Sequence, residues 1–369
     1  MKVILVINIP TPYRVPVFNR VAEKFGDDFI VLFCAQMEPN REWDYEQLKF
    51  QHVFLKQNYS ERNGVCIHNN IDVIKRIKDI KPDVLVTNGF NPTSIYSWVY
   101  AIITRTPHVT FTDGWIVSER NLGNAHKLVR KLVYKTSKAY IGAGKNSLIL
   151  YKSYNIRERD MFISHLCSNN ESFLEFDGNQ ERPYDVMFSG RIVAGKIPEF
   201  FVEVVERLIL KRKKLSVLVI GNGPLREKFL NSLQSTGADL YYPGFIRQED
   251  LPYYYTKAKV FLFTTICDAW GIVANEALAS GTPVFTTPYA GVINDLVIDG
   301  YNGYIREVDS DAWASQVNVV LDDKVLLDKL SANAIKSIEG FNYDNAARGI
   351  IEAVEWAANK RPTMNEFIY

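Results

Sequence analysis

The chain has 369 residues, of which 47% are hydrophobic and 23% charged, which is ordinary for a globular protein of about two domains. Its 43 basic and 42 acidic residues nearly cancel, so the overall charge does not favour a polyanionic partner such as nucleic acid. Four scattered cysteines, without CxxC spacing, argue against a disulfide scaffold and a structural zinc site.

The first predicted element, VILVIN at 3–8, is followed by two prolines and is too short for the apolar core of a signal peptide. No later apolar run reaches the ~20 residues that a membrane span needs. We therefore expect a cytoplasmic protein.

The first half of the chain alternates between apolar, β-branched runs and segments of helical periodicity. The predicted strands are 3–8, 29–33, 83–87, 108–112 and 139–143, and the predicted helices between them are 14–25, 71–79 and 122–138. Continuous apolar strands separated by helices indicate a parallel sheet that is covered on both faces.

The polar segment 166–183 interrupts this pattern and predicts a linker. The alternation then resumes, with predicted strands at 185–190, 216–223, 240–245, 260–265 and 283–287. We predict an α/β protein of two doubly wound, Rossmann-like domains, 1–165 and 184–340, which face each other across a cleft. Ligands of such sheets bind at the carboxyl ends of the strands.

The segment 267–284, CDAWGIVANEALASGTPV, begins at the carboxyl end of a predicted strand. Its small residues and its Gly-Thr-Pro stop predict a short helix from Gly271 to Ser280. The first N–H groups of that helix, those of Gly271, Ile272 and Val273, have no partner within the helix and favour an anion.

Two acids flank this anion site, Asp268 before the helix and Glu276 within it. Carboxylates accept hydrogen bonds from neighbouring hydroxyls, so the pair suits a ligand with polyol groups on both sides of a phosphate. A nucleotide-sugar has that composition. The alternative interpretation is structural, with Asp268 as a helix cap and Glu276 as a solvent-exposed helix residue.

Two cations lie in the turn SGRIVAGKIPE, where Arg191 and Lys196 are separated by five positions and accompanied by Gly190. Such a turn suits a diphosphate, and the alternative is a pair of exposed surface cations. The GNG turn that contains Gly223 is a weak dinucleotide signal, and a tight turn explains it better.

The segment 242–255 predicts a strand, a turn and a short helix. Phe245, Ile246 and Arg247 would hold a nucleotide base there by backbone contact and stacking. The alternative is an ordinary packed turn.

In this order, these segments resemble the GT-B nucleotide-sugar glycosyltransferases, in particular the large retaining family 4. The resemblance covers about 184–355 and rests on the following motifs: Gly190-Arg191 with Lys196, Gly221-Asn222-Gly223-Pro224, Gly244-Phe245 with Leu251-Pro252, Asp268-x7-Glu276, Ala279-Ser280-Gly281-Thr282-Pro283-Val284, and the segments 291–305 and 341–354. It further implies that the last segment, 341–369, is a helix that packs back on the first domain.

The resemblance implies a retaining transfer without a metal or other cofactor, in which the nucleotide-sugar is a co-substrate. Arg191, Lys196 and the amides of the short helix would stabilise the leaving diphosphate, which takes the proton of the acceptor. Glu276 would hold the ribose and Asp268 the transferred sugar. Gly190, Gly223, Trp270 and the residues around Phe245 would complete the donor site.

Two departures from the family pattern stand out. Asp268 replaces a glutamate, so its reach toward the sugar is one methylene shorter. The loop after the first strand contains two prolines instead of glycines and cannot form a glycine-type phosphate cradle. We expect this rigid loop to present Tyr13 and Arg14 to the acceptor, with Asn88 on the same side.

Asp113 stands where the family often has a histidine in the catalytic site. It would either orient the sugar or the acceptor, or cap its own loop.

The segment 125–138 predicts an amphipathic helix that lacks acids. Its cations are Lys127, Arg130, Lys131, Lys135 and Lys138, and its apolar side carries Ala125, Leu128, Val129, Leu132 and Val133. Two interpretations are open: the helix docks on an anionic membrane, or its apolar side covers the first sheet. The first would place the protein at the inner face of the membrane.

The function that we predict is transfer of a sugar from a UDP- or GDP-sugar to a glycan or a lipid-linked acceptor, as in the synthesis of surface polysaccharide, lipopolysaccharide or glycolipid. Two alternatives remain open, a nucleotide-sugar epimerase of the same fold and a non-catalytic nucleotide-sugar-binding homologue.

Overall fold

The computed structural model describes residues 1–39, 41, 45–62, 65–174 and 181–359. The chain forms two compact units. The first comprises Met1–Leu166 together with the helix that begins at Tyr343, and the second comprises Cys167–Asn342. None of the helices in the described ranges has both the length and the apolar character that crossing a membrane requires.

The first unit is built on a parallel sheet. Its strands are β1 (Val3–Ile7), β2 (Phe29–Phe33), β3 (Gln51–Phe54), β6 (Val84–Asn88), β7 (His108–Thr112), β8 (Ala139–Gly142) and β9 (Met161–Ile163), and a separate hairpin consists of β4 (Tyr59–Arg62) and β5 (Val65–His68). The sheet order is β3-β2-β1-β6-β7-β8-β9. The order reverses between β1 and β6, which makes the sheet doubly wound.

Helices cover this sheet because its strands are apolar on both faces. They are α1 (Val15–Phe25), α2 (Val73–Ile80), α3 (Pro92–Thr104), α4 (Ile116–Glu119), α5 (Asn124–Thr136), α6 (Lys145–Ser153) and, from the end of the chain, α14 (Tyr343–Asn359). Helix α14 packs on α1, β8 and β9.

The second unit contains a second parallel, doubly wound sheet. Its strands are β10 (Tyr184–Ser189), β11 (Ser216–Ile220), β12 (Asp239–Gly244), β13 (Ala258–Phe263), β14 (Val284–Thr286) and β15 (Gly303–Ile305), in the order β12-β11-β10-β13-β14-β15. Its helices are α7 (Asn170–Leu174), α8 (Pro198–Lys211), α9 (Arg226–Ser235), α10 (Leu251–Tyr255), α11 (Ile272–Ala279), α12 (Ser310–Asp322) and α13 (Lys324–Ser337). Trp313 is fully buried in the hydrophobic core of this unit.

The predicted fold class is confirmed: the chain forms two doubly wound parallel sheets, and ten predicted strands agree with observed ones within a few residues. The predicted linker is wrong for 167–174. These residues belong to the second unit, where α7 packs on α11 and Asn170 accepts a hydrogen bond from Asn275 at 2.8 Å. Of the other predicted segments, 175–180 and 360–369 lie outside the described residues.

Gly349 allows α14 to approach the sheet of the first unit. A Cβ atom at this position would lie 1.7 Å from the carbonyl oxygen of Ile163, at the end of β9. Such a distance is impossible without a shift of the backbone, because that oxygen is not on a flexible side chain.

We therefore predict that Gly349→Ala lowers the free energy of unfolding by about 2 kcal/mol or more, as overpacking against backbone does. Gly123→Ala is the matched control, because no atom lies within 4 Å of its Cβ position, and it should cost less than about 1 kcal/mol. Chemical denaturation measures both. Equal stability of the two variants would show that α14 does not need this close approach.

Candidate functional site

The sheet order of the second unit reverses between β10 and β13. Loops that follow the two strands on either side of such a reversal diverge and leave a crevice at the carboxyl edge of the sheet. The loop after β10 carries Arg191 and Lys196, and the loop after β13 carries Asp268. The sequence-predicted donor residues thus come together at the place where this fold binds ligands.

An ion pair joins the two loops. The Lys196 ammonium donates to Oδ2 of Asp268, and it lies 4.4 Å from the ring centre of Phe263. The carbonyl of Lys196 accepts a hydrogen bond from the Thr264 hydroxyl at 2.7 Å. The position of this cation is therefore fixed by charge, by an aromatic face and by its own backbone.

Asp268 is held by the backbone around it. Its Oδ1 accepts from the N–H of Trp270 at 3.0 Å, its own N–H donates to the carbonyl of Tyr289 at 3.1 Å, and its carbonyl accepts from the N–H of Gly291 at 3.0 Å. Asp268 does not cap α11, whose N-cap residue is Gly271, so the structural alternative for Asp268 is wrong. The carboxylate instead faces the Lys196 ammonium.

Helix α11 begins directly beside this ion pair. Gly271 has φ +109°, and a Cβ there would lie 2.5 Å from the Phe263 ring, so only glycine fits. Gly271 is the N-cap and Ile272 and Val273 are the first two helical residues, so helix geometry gives their N–H groups no acceptor within the helix. The result is a helix N-terminus next to Lys196, which suits an anion.

Glu276 is buried, so its interpretation as a solvent-exposed helix residue is wrong. The Tyr255 hydroxyl donates to its Oε2 and the Gln248 amide to its Oε1, both at 2.9 Å. Burial raises the pKa of Glu276 from 4.5 to about 7, although both hydrogen bonds act in the opposite direction. A further hydroxyl that donates a hydrogen bond to this carboxylate would stabilise its ionised form.

Glycines shape the loop that carries Arg191. A Cβ on Gly221 would lie 1.9 Å from the Gly190 carbonyl oxygen, and one on Gly223 would lie 2.4 Å from the Ile192 carbonyl oxygen. The Ile192 N–H donates to the Asn222 carbonyl at 2.9 Å. Gly223 therefore supports the backbone beside Arg191, in agreement with the tight-turn interpretation.

The proposed base-binding residues lie on the turn after β12. Phe245 and Arg247 are exposed and Ile246 is half-buried. Trp270, by contrast, is buried, and its ring lies 6.0 Å from that of Phe341. Its contribution to the site is its N–H, which holds Asp268.

In the first unit, the structure contradicts the expectation that Arg14 faces the acceptor. It is buried, and its guanidinium donates to Asp113 Oδ1 at 2.7 Å, to the Ser164 carbonyl and hydroxyl at 3.1 and 3.2 Å, and to the His165 carbonyl at 3.3 Å. It also lies over the Phe111 ring. Arg14 joins three loops of the sheet edge and does not present its charge to an acceptor.

The other acceptor-side residues surround this buried arginine. Asn88 ends β6 and pairs in register with Phe111, and it is half-buried. Tyr13 is also half-buried, and desolvation, followed by the charge of Asp113, raises its pKa to about 12. Asp113 pairs with Arg14, and its carboxylate remains partly exposed.

Helix α5 is rotated from the orientation that its sequence predicts. Its buried residues are Val133 and Tyr134, whereas Leu128 and Leu132 are 57% and 46% exposed. Arg130, which we expected on the solvated basic face, pairs with Glu119 at 2.7 Å and lies over the Phe90 ring at 4.2 Å. The apolar side predicted from the sequence therefore only partly covers the sheet.

Three contacts of the site escaped the sequence analysis. They are the contact of the Phe263 ring with Lys196 and the hydrogen bonds of Tyr255 and Gln248 to Glu276. All three residues lie within or beside the predicted motifs. Their spacing along the chain gives no signal, because they meet their partners only when strand ends are adjacent. Over the described residues, no group of three His, Cys, Asp or Glu side chains is arranged to hold a metal ion.

The chain is similar to known proteins in sequence and in fold. Residues 170–337 match the family model described as glycosyl transferases group 1. A crystal structure of Anabaena Alr3699/HepE in complex with UDP superimposes with a TM-score of 0.75 at 14% identity, over 96% of this chain and all of that one (100%). This likeness shows the fold.

Two relatives illustrate the sequence similarity. An uncharacterized glycosyltransferase of Methanocaldococcus jannaschii is 26% identical over 215 residues, 57% of this chain and 54% of that protein. The Campylobacter jejuni GalNAc-alpha-(1->4)-GalNAc-alpha-(1->3)-diNAcBac-PP-undecaprenol alpha-1,4-N-acetyl-D-galactosaminyltransferase is 23% identical over 279 residues, 73% of this chain and 74% of that enzyme. The chain spans about half the length of the first curated relatives that it matches.

Two doubly wound domains with this site at the second switch point define the GT-B class. The second unit is similar in sequence to the glycosyl transferases group 1.

The raised pKa of Glu276 predicts how stability depends on pH. Above about pH 4.5 the unfolded chain loses this proton while the folded protein keeps it until about pH 7. The folded state thus binds more protons in this window, and stability falls as pH rises through it. The shift corresponds to about 3 kcal/mol.

We predict that the unfolding free energy of Glu276→Gln, relative to the wild-type protein, rises by up to about 3 kcal/mol between pH 4.5 and 7.5 without nucleotide. Denaturant titrations across this range measure the difference. Glu227→Gln, on the exposed surface of α9, should follow the wild-type protein. Parallel pH profiles of the wild-type protein and Glu276→Gln would rule out the raised pKa.

Proposed function

We propose that the protein is a retaining glycosyltransferase that uses a nucleoside-diphosphate sugar. One observation carries the proposal: the Lys196 ammonium, a helix N-terminus and two carboxylates lie at the switch point of the second sheet. Arg191 and Lys196 would bind the diphosphate together with the amides of Gly271–Val273. Each is a donor that suits phosphate oxygens.

The two carboxylates would bind the polyol parts of the donor. Glu276 would accept hydrogen bonds from the ribose hydroxyls, which favours its ionised form. Phe245, Ile246 and Arg247 would contact the base. The likeness to a structure that contains UDP supports a uridine donor, and a GDP-sugar remains the second candidate.

The donor would bind by displacing Asp268 from its ion pair with Lys196. An incoming diphosphate would compete for the ammonium, and the Asp268 carboxylate would then be available to a hydroxyl of the sugar. The ion pair is partly exposed, with 17% and 21% of the two side chains accessible, so water and ligand reach it.

The proposed transfer step needs no cofactor to supply or accept electrons or protons. The bond from C1 of the sugar to the diphosphate oxygen breaks, and its electron pair leaves with the diphosphate. The acceptor oxygen forms the new bond to C1 on the same face, and its proton passes to the departing phosphate oxygen. Lys196, Arg191 and the α11 amides would stabilise the charge that develops there.

The acceptor that we propose is a glycan or a lipid-linked saccharide, as in the synthesis of surface polysaccharide. The Campylobacter relative, whose name specifies an undecaprenol diphosphate acceptor, supports this class. Tyr13, Asn88 and Asp113 would contact the acceptor or orient the sugar. Arg14 would position Asp113 through their ion pair.

We also propose that the protein lies at the cytoplasmic face of a membrane through α5. Its exposed face combines Leu128 and Leu132 with Lys127, Lys131 and Lys135, which suits an anionic interface. Trp98 of α3 donates to Thr136 at 2.8 Å, and α3 exposes Ile102 and Ile103. Both helices thus expose apolar side chains, and Trp98 connects them.

The diphosphate assignment predicts that Arg191→Ala and Lys196→Ala each weaken UDP or GDP binding by roughly 1.5–3 kcal/mol, the range for hydrogen bonds to charged groups. Isothermal calorimetry measures the loss. Lys211→Ala, at the far end of α8, is the matched control and should bind as the wild-type protein does. Unchanged affinity in both site variants would refute the assignment.

The Asp268 assignment predicts a split between binding and transfer. Asp268→Asn frees Lys196 from its ion pair, so nucleoside diphosphate affinity should be retained or increased. Sugar transfer should fall by about tenfold or more, because a charged acceptor for the sugar is lost. Turnover at the wild-type rate with the native donor would show that Asp268 has no role in transfer.

A further inference from the structure

A surface pocket of about 850 Å³ opens in the first unit beside the amino-terminal ends of β8 and β9. Because the sheet is parallel, this is the opposite edge from the one that carries Asn88 and Asp113. The pocket therefore belongs neither to the donor site nor to the acceptor side described above. Its volume lies in the range of small-molecule sites.

Five cations line the pocket, and we call it the basic pocket. They are Lys131, Lys135, Lys138, Arg157 and Arg159. Lys131 and Lys135 are four residues apart on α5, so their like charges lie on one helix face and destabilise it. Lys138 follows the end of the helix, directly before β8. Arg157 and Arg159 add charge from the turn that precedes β9.

The nearby acids do not neutralise this cluster. Asp160 accepts hydrogen bonds from Arg157 Nε and from Trp356 Nε1, both at 3.0 Å. Glu158, in the same turn, pairs with Lys152. Among the described residues, the three lysines and Arg159 form no ion pair, so four charges face the pocket without a counter-ion from the chain.

Uncharged polar groups complete the wall. Asn155, which adopts a left-handed conformation with φ +61°, and Tyr154 line the pocket beside the cations. Converging ammonium and guanidinium groups with an amide and a phenol suit a multivalent oxyanion whose remaining atoms are polar. A folding role does not explain the cluster, because like charges in one pocket oppose folding.

We propose that the basic pocket binds a phosphate group carried by a small polar moiety, with Lys131, Lys135 and Arg159 as its main donors. Two sources share this chemistry, the headgroup of an anionic phospholipid and a soluble sugar phosphate. The lipid source has a structural argument: Lys131 and Lys135 also border the exposed apolar residues Leu128 and Leu132 of α5.

Two probes distinguish the sources. Dihexanoyl phosphatidic acid presents a lipid headgroup on short chains, and glucose 6-phosphate presents a soluble sugar phosphate. We expect calorimetry on the full-length protein to detect binding of at least one probe, with an affinity that falls as salt is added. Binding of the lipid probe alone identifies a headgroup site, and binding of glucose 6-phosphate alone identifies a soluble ligand.

Variants of the pocket residues test where the bound probe lies. K131Q/K135Q/R159Q should weaken the bound probe about tenfold or more, as the loss of charged donors does. K75Q/R76Q/K78Q removes the same charge from exposed positions on α2, outside the pocket and away from α5, and should bind as the wild-type protein does. K196A should also keep full affinity, because its site lies in the second unit.

The proposal is overturned if neither probe binds, if the pocket variant binds as tightly as the wild-type protein, or if K196A loses binding that the pocket variant keeps. The last result would assign the phosphate to the donor site. The melting temperature of the pocket variant should equal or exceed that of the wild-type protein, since repulsion is relieved. K135Q and R159Q alone should each show a partial loss of affinity.

Discussion

The ion pair between Lys196 and Asp268 is the interaction on which the candidate donor site depends. It connects the loops after β10 and β13, the two strands between which the sheet order reverses. Without it, one loop would carry a partly buried ammonium and the other a partly buried carboxylate, each with a desolvation cost. With it, the two loops are joined across the crevice where the proposed diphosphate would compete for Lys196.

Backbone segments approach one another closely in the loops around the ion pair. Gly221 lies against the carbonyl of Gly190, Gly271 against the Phe263 ring and Gly291 against the carbonyl of Ala269. Each contact excludes a Cβ atom and therefore restricts its position to glycine. These glycines, together with the amides of α11, give the site a shape set by the backbone. Side chains that bind ligand are then added to a rigid frame.

Much of the second unit could be predicted from the sequence. Its strands are apolar, its turns contain glycine and proline, and its charged residues follow strands, so their meeting at one edge follows from a parallel sheet. The burial of Glu276 could not be predicted, because its partners Tyr255 and Gln248 reach it only in three dimensions. A helix of small residues gives no amphipathic pattern that would place Glu276 inside or outside.

The first unit was harder to predict for a related reason. Arg14 is polar and follows two prolines, which is typical of an exposed loop, yet four acceptors from distant segments surround it. The orientation of α5 was hard to predict in the same way. Arg130 pairs with Glu119 and lies over the Phe90 ring, and the apolar side predicted from periodicity is partly exposed. Both arginines pair with a carboxylate from another segment, 99 residues away for Arg14 and 11 for Arg130, and periodicity does not contain that information.

The central claim is that the carboxyl edge of the second sheet binds a nucleoside-diphosphate sugar. The most direct measurement is a thermal-shift screen of the wild-type protein against UDP-, GDP-, ADP- and TDP-sugars, because a ligand that binds the native state raises the melting temperature. We expect a clear increase with one base, UDP or GDP, and weaker increases with the others. If no nucleotide-sugar raises the melting temperature at millimolar concentration, the claim is contradicted.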